Sequence, residues 1–119
     1  MRILMVCLGN ICRSPLAEGI MKDKAQQAGL DWHVDSAGTG DWHTGELPDR
    51  RSIQTALAHG IDLTDQRARQ FRPHDFDRFD KIFVMDVNNL RDVLRQARSE
   101  EDRAKVELML DQVYPGQER

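Results

Sequence analysis

The chain has 119 residues, 17 basic against 20 acidic side chains and a net charge of −3, which suits one domain with a modest core and argues against two. So even a balance leaves no polybasic stripe, so nucleic acid and an anionic membrane surface are excluded as main partners, and any positive charge that matters is local. No apolar run approaches the ~18 residues of a spanning helix, and the opening Ile3–Val6 run is too short for a signal-peptide core, so a soluble, cytoplasmic protein is expected.

Ile3-Leu4-Met5-Val6 reads as a strand buried on both faces, as in parallel sheets, and is therefore central. Directly behind it comes Cys7-Leu8-Gly9-Asn10-Ile11-Cys12-Arg13-Ser14-Pro15. Ser14 is the expected N-cap of a first helix, with Pro15 at its first position. Leu16, Ala17, Ile20, Met21, Ala25 and Ala28 share one face of that helix before Gly29 ends it, and Glu18 falls one place late for a capping box. Val34 to Ala37 is a short second strand leading into Gly38-Thr39-Gly40-Asp41-Trp42-His43-Thr44-Gly45, an irregular surface loop by its glycines. A second helix runs from about Asp49 to His59, with Ile53, Ala56 and Leu57 apolar and Gly60 after its end. Lys81 to Met85 is a third strand, and Leu90, Val93, Leu94 and Ala97 repeat at helical spacing within a helix from Asn89 to Arg98. Val106 to Leu110 completes a βαβαβαβ pattern, with Arg91 to Arg103 as a solvated helical face.

Such alternation predicts an α/β fold, an open four-stranded parallel sheet of order 2-1-3-4 with right-handed crossovers and its ligand beyond the carboxyl end of a strand. The Cys7 loop lies at such an end. Handedness places the first helix on one face and the next two on the other, which leaves one face short of a helix over strands three and four. A further C-terminal helix is expected there, so residues 1–119 read as a single domain that is C-terminally truncated, or one that self-associates across the uncovered face.

The loop after strand one brings a thiol and a guanidinium to a helix start, with five residues between Cys7 and Arg13. That is enough for backbone N–H groups to curl around a tetrahedral oxyanion such as inorganic phosphate, while the helix points its positive end at the same spot. A free cysteine has a pKa of ~8.5, and the helix terminus, the loop amides and Arg13 together can hold Cys7 as thiolate, a nucleophile for phosphorus. Arg13 offers two parallel donors to equatorial phosphate oxygens, a fork that lysine lacks. Ser14 is placed to donate its hydroxyl to the sulfur and ease departure of the thiolate. Two cysteines five apart are not a disulfide scaffold, and Cys-x4-Cys without a second ligand pair is not a zinc site, so no metal is expected. Cys12 reads equally as a small core residue and as a redox partner of Cys7. Trp42 is either a pocket wall or a cap on the core edge, and His43 a weaker wall candidate. Asp86, at the end of strand three, either supports the loop or caps the following helix. His33, His59 and His74 read as surface or helix-end residues.

These residues resemble the low-molecular-weight protein tyrosine phosphatases. Matching segments run from Val6-Cys7-Leu8-Gly9-Asn10-Ile11-Cys12-Arg13-Ser14-Pro15-Leu16-Ala17-Glu18 through Asp35-Ser36-Ala37-Gly38-Thr39, Trp42-His43-Thr44-Gly45 and Ala68-Arg69-Gln70 to Met85-Asp86, in the family's order. The resemblance implies hydrolysis of phosphotyrosine in proteins, and of small aryl phosphates, through a phosphocysteine, with no metal or organic cofactor. Cys7, Arg13 and Ser14 are then catalytic, Leu8, Gly9, Asn10, Ile11 and Cys12 bind the phosphate, and Trp42 and His43 wall the pocket. Ser36 joins Asn10 in holding the loop, where Gly9 and Asn10 are residue types that tolerate positive φ. Asp86 gives support behind the loop.

In the family the general acid is an aspartate of an Asp-Pro-Tyr-type loop shortly after the segment resembling Leu110 to Gln117, and this sequence stops before it. Such an acid contributes a factor of ~10² to 10⁴, so slow turnover of activated aryl phosphates is expected, and a weakly active or non-catalytic phosphotyrosine-binding module is the alternative. Asp41, Glu46 and Asp49 read as solvated loop acids. Arsenate reductases of the same fold need further cysteines, and phosphoarginine phosphatases carry threonine where Ile11 stands.

Overall fold

β1 (Arg2–Cys7) has a parallel neighbour on each side, and Ile3 through Cys7 are at most 3% exposed in consequence. This computed structural model describes residues 1–11 and 13–109. Within them β1 is followed by α1 (Arg13–Gln27), β2 (His33–Gly38), α2 (Arg50–Ala58), α3 (Asp75–Arg78), β3 (Lys81–Val84), α4 (Val87–Arg95), α5 (Glu100–Ala104) and β4 (Val106–Leu108). The four strands pair in the order β2-β1-β3-β4, all parallel, as the alternation of elements predicts. Cys7 lies opposite Gly38 and Val6 opposite Val84, so the carboxyl ends of three strands meet at one rim.

Successive side chains of β1 point to opposite faces. Leu4 and Val6 pack with Ala37, Ile82, Val84, Val93 and three phenylalanines, Phe71, Phe76 and Phe79. Phe71 meets Phe76 edge-on, centroids 5.3 Å apart. Ile3 and Met5 pack on the other face with Val34, against Ala17 and Met21 of α1 and the partly buried Trp32, Phe83, Met85 and Met109. α2 packs on α1 rather than on the sheet. The expectation that the next two helices share the face opposite α1 is therefore corrected: α4 takes that face with α3, and α2 forms an outer layer.

Local chemistry moves several other boundaries. α1 starts at Arg13, so Ser14 is inside the helix and is not its N-cap; its hydroxyl is used elsewhere, as described below. The helix ends as foreseen at Gly29, φ 70°, where Leu30 N–H bonds Ala25 O and Gly29 N–H bonds Gln26 O, the paired closure that a left-handed residue permits. Its buried face includes Pro15, Glu18 and Gly19, whereas Ile20 is 42% exposed. The reason is the segment after α2: Leu63 is fully buried and packs so closely on Gly19 that a Cβ there would stand 2.5 Å from Leu63 Cδ2.

Asp49 caps α2 by accepting Arg51 N–H at 3.0 Å, while Leu57 is 54% exposed and not a core residue. α4 starts at Val87 rather than Asn89, because Asp86 accepts Asn89 N–H at 2.8 Å. It ends at Arg95, and Ser99 caps the separate α5 through Asp102 N–H. Arg98 donates to Asp77 at 2.7 Å and to the buried Asp102 at 2.9 Å, so part of the exposed Arg91–Arg103 run is paired as well as solvated. Those bonds hold both carboxyls below the usual range. β3 stops at Val84 and β4 at Leu108; the end of the expected fourth strand, Leu110, and the segment after it lie outside the described residues. No helix among the described residues is long and apolar enough to cross a membrane.

Candidate functional site

The rim where the strands end is built around sulfur. Cys7 closes β1 and is 3% exposed, and its Sγ accepts the Asn10 backbone N–H at 3.3 Å and lies 2.9 Å from Ser14 Oγ in the first turn of α1. The N-terminus of α1 adds its partial positive charge at the same place.

Asn10 carries the turn. Its φ of 57° is the one positive value among described non-glycine residues, a conformation asparagine tolerates better than most. Its side chain, 2% exposed, is fully bonded: Nδ2 donates to Ser14 Oγ at 3.1 Å and to Ser36 Oγ at 2.9 Å, and Oδ1 accepts the Arg69 N–H at 3.3 Å. Of the two residue types that tolerate positive φ, Asn10 alone adopts it; Gly9 does not, and what it provides is room, since a Cβ there would sit 3.0 Å from His43 Cδ2. Gly38 is likewise needed for close approach, because a Cβ on it would stand 2.8 Å from Leu8 O. Beyond it, Thr39 N–H bonds Cys7 O and Gly40 N–H bonds Leu8 O, both at 2.9 Å, so the chain leaving β2 holds the loop from one side.

Arg13, the first residue of α1, is exposed and donates from Nη2 to Asp86 Oδ2 at 3.0 Å. Asp86 thus does both things considered for it, capping α4 with one oxygen and holding Arg13 with the other. Leu8 is 49% exposed, and Ile11 is half-buried with its carbonyl accepting Asp49 N–H at 2.5 Å. Trp42 is 68% exposed, its ring folded against Gly40, so it does not cap the core. His43 reaches Glu46 through Nδ1 at 2.9 Å. Glu46 and Asp49 therefore have structural partners, and Asp41 is exposed. Cys12 lies outside the described residues. Among the described residues no cluster of three or more His, Cys, Asp or Glu is set to hold a metal.

A family model for low molecular weight phosphotyrosine protein phosphatase matches residues 2–118. The chain belongs to this family. It is 48% identical over 97 residues to low molecular weight phosphotyrosine protein phosphatase 2 of Drosophila melanogaster, covering 80% of this chain and 58% of that one. It is 43% identical over 118 residues to the fission yeast (Schizosaccharomyces pombe) low molecular weight phosphotyrosine protein phosphatase, covering 97% of this chain and 74% of the relative. A crystal structure of the Entamoeba histolytica protein tyrosine phosphatase with Hepes in its active site superposes with a TM-score of 0.89 at 38% identity, over 93% of this chain and 71% of that one. The chain thus spans between about three fifths and three quarters of the length of these relatives.

Behind the loop lie groups of this phosphatase fold that sequence reasoning did not place. Glu18, 3% exposed, accepts Ser36 Oγ–H at 2.6 Å and Lys22 Nζ–H at 2.5 Å. Burial pushes its pKa up, against the hydrogen bonds from Lys22 and Ser36. Arg69 joins Asp35 of β2 to the fully buried Asp75 of α3, with contacts of 3.1 to 3.3 Å. Its burial lowers the guanidinium pKa, but Asp75 and Asp35 outweigh that and the net shift is upward. A signal for Glu18 was available: a carboxylate on the face of α1 that follows the buried Ser14 by four positions, one turn along.

Proposed function

We propose that this chain is a phosphatase that hydrolyses phosphotyrosine in proteins, and small aryl phosphates, through a phosphocysteine on Cys7. The observation that carries the reading is Cys7 Sγ held between the Ser14 hydroxyl at 2.9 Å and the Asn10 N–H at 3.3 Å at the start of α1. Both groups lie within hydrogen-bond reach of the atom that would attack phosphorus.

In the first step the sulfur attacks phosphorus in line; the S–P bond forms as the P–O bond to the aryl group breaks, and the departing phenolate takes a proton from a general acid or from water. In the second step water attacks phosphorus, the S–P bond breaks, inorganic phosphate leaves and the thiolate is restored. The loop's backbone N–H groups, apart from the Asn10 N–H that bonds Cys7 Sγ, and the remaining donors of Arg13 hold the equatorial oxygens, where charge accumulates. Ser14 donates to sulfur as it departs. Trp42 and His43 flank the substrate ring, and Asn10, Ser36 and Asp86 keep the loop and Arg13 in place. Water is the one co-reactant these steps need, so no cofactor enters.

Residues 1–119 act as a single domain of this family, in the cytoplasm, where reducing conditions keep Cys7 free of disulfide. Copies of the chain pair across the apolar face around Trp32, Phe83 and Met109; sedimentation showing a monomer at all concentrations would end that part of the reading.

The test of the activity is chemical. Cys7→Ser abolishes turnover of p-nitrophenyl phosphate but still binds vanadate, and acid quenching of the wild-type reaction traps phosphate on Cys7. Turnover retained by Cys7→Ser, or a wild-type protein that binds phosphotyrosine without forming the adduct, would leave a binding module instead.

A further inference from the structure

Cys7 lies at one end of a hydrogen-bonded chain whose other end is the pair between the buried Glu18 carboxylate and the surface lysine Lys22, and the bonds between Glu18 and Ser14 run in one direction. Glu18 accepts the Ser36 hydroxyl proton at 2.6 Å. A hydroxyl has one proton, so toward Asn10 Nδ2, 2.9 Å away, Ser36 acts as acceptor. The second hydrogen of the same amide goes to Ser14 Oγ at 3.1 Å. The amide cannot turn over, because its Oδ1 accepts the Arg69 backbone N–H at 3.3 Å. Ser14 is fully buried and its 2.9 Å contact with Cys7 Sγ can run either way; with Asn10 supplying a hydrogen to its oxygen, the hydroxyl proton is free to turn to sulfur. A proton donated to sulfur favours thiolate, whereas one accepted from it would favour the thiol.

We propose that Glu18 and Lys22 are positioning residues for the reaction at Cys7: their ion pair sets the donor direction through Ser36, Asn10 and Ser14 and so keeps a hydroxyl proton on the sulfur. This rests on the reading of Cys7 as the nucleophile. Were Glu18 protonated, its acid hydrogen would compete for the Ser36 oxygen, the Ser36 proton would be turned toward the Asn10 amide donor, and the chain would break. The groups facing Glu18 are Lys22 from its own helix and Asp35 and Ser36 from β2, with Asp35 in turn paired to Arg69. Burial and Asp35 drive Glu18 toward the neutral form, while Lys22 and Ser36 oppose them. Lys22 is the cation among these, and it stands 44% exposed at the protein surface. A lysine that touches no reacting atom thereby acts on a buried sulfur.

The experiment compares wild type, Lys22→Gln and Lys22→Arg from mildly acid to neutral pH. It follows kcat/KM for p-nitrophenyl phosphate and the ultraviolet absorbance of the Cys7 thiolate, with Cys7→Ser subtracted, each variant normalised to its own neutral-pH value. Lys22→Gln loses both signals by about fivefold at the acid end, the order of one hydrogen bond's net contribution, and recovers as pH rises; Lys22→Arg follows wild type. Profiles of Lys22→Gln that superpose on wild type overturn the proposal while leaving Cys7 as nucleophile untouched. A wild-type protein with neither thiolate nor turnover at neutral pH overturns the phosphatase reading itself, and this proposal with it.

Discussion

Arg13 and Asp86 meet at the rim of the loop, Nη2 to Oδ2 at 3.0 Å, across 73 positions of sequence. The contact joins the first turn of α1 to the first turn of α4, since the other oxygen of Asp86 caps α4 at Asn89. With Arg13 54% exposed, the pair adds at most ~1 kcal/mol to stability. Its consequence is geometric. One nitrogen of a five-donor guanidinium is anchored and the other donors are left for an anion in the loop.

Replacing Asp86 separates the two duties. Asp86→Asn keeps a side chain that caps helices well, so the melting temperature stays close to wild type, but the charge that orients Arg13 is lost. Since misplacement of a positioning group by 1 Å can cost ~10²-fold, kcat/KM for p-nitrophenyl phosphate is expected to fall about tenfold. Steady-state kinetics beside calorimetry decide it; unchanged kinetics would mean that the bound anion orients Arg13 unaided.

Asn10 serves the loop through its backbone and its amide, and two substitutions tell these apart. Asn10→Gly loses the three side-chain bonds but accepts a φ of 57° freely, while Asn10→Ala loses the bonds and is strained as well. The alanine variant should be less stable than the glycine variant by about 1 kcal/mol. Urea titration measures the gap, and equal midpoints at equal slopes would show that the loop relaxes out of the left-handed region once the amide is gone.

Arg69 is the cation that satisfies Asp75, whose carboxylate is fully buried. Removing it as Arg69→Ala leaves that charge with the Arg72 N–H at 2.9 Å and a distant Arg78 at 3.8 Å. The expected loss is about 3 kcal/mol, the lower end for breaking a buried pair, because Arg78 compensates in part. The double variant Arg69→Ala/Asp75→Ala should recover part of it. A double variant no more stable than Arg69→Ala would place the loss in packing rather than in the unpaired carboxylate.

The sequence made the sheet legible because the signals are local: an apolar run at Ile3–Val6, a Gly29 that ends a helix, and an alternation of strand and helix patterns that leaves few topologies. The loop was legible for the same reason, its residues being contiguous from Cys7 to Ser14. What escaped depends on distant pairs. Ser14 looks like a cap until Cys7 and Asn10 are brought to it, and Glu18 looks like a misplaced capping residue until Ser36 arrives from β2. Arg69, Asp35 and Asp75 come from three separate segments, and α3 at four residues is too short to show periodicity. Phe71, Phe76 and Phe79 fill the core from a stretch with neither helical nor strand spacing.

The buried Glu18 also predicts how stability depends on pH, and the sign follows from the direction of its shift. Burial raises its pKa above the ordinary 4.5, so the folded state binds this proton more tightly than the unfolded chain does. Its favourable contribution is complete below the unfolded value and is lost as pH rises through the folded one, after which it is flat. Glu18→Gln has no such proton to lose. The difference in unfolding free energy, wild type minus Glu18→Gln, should therefore fall as pH climbs from about 4.5 and level off once Glu18 is ionised in both states. Denaturant titrations at closely spaced pH values give that curve directly. A difference that rises with pH would mean that Lys22 and Ser36 outweigh burial and that the carboxylate is held ionised more firmly in the fold than in the open chain.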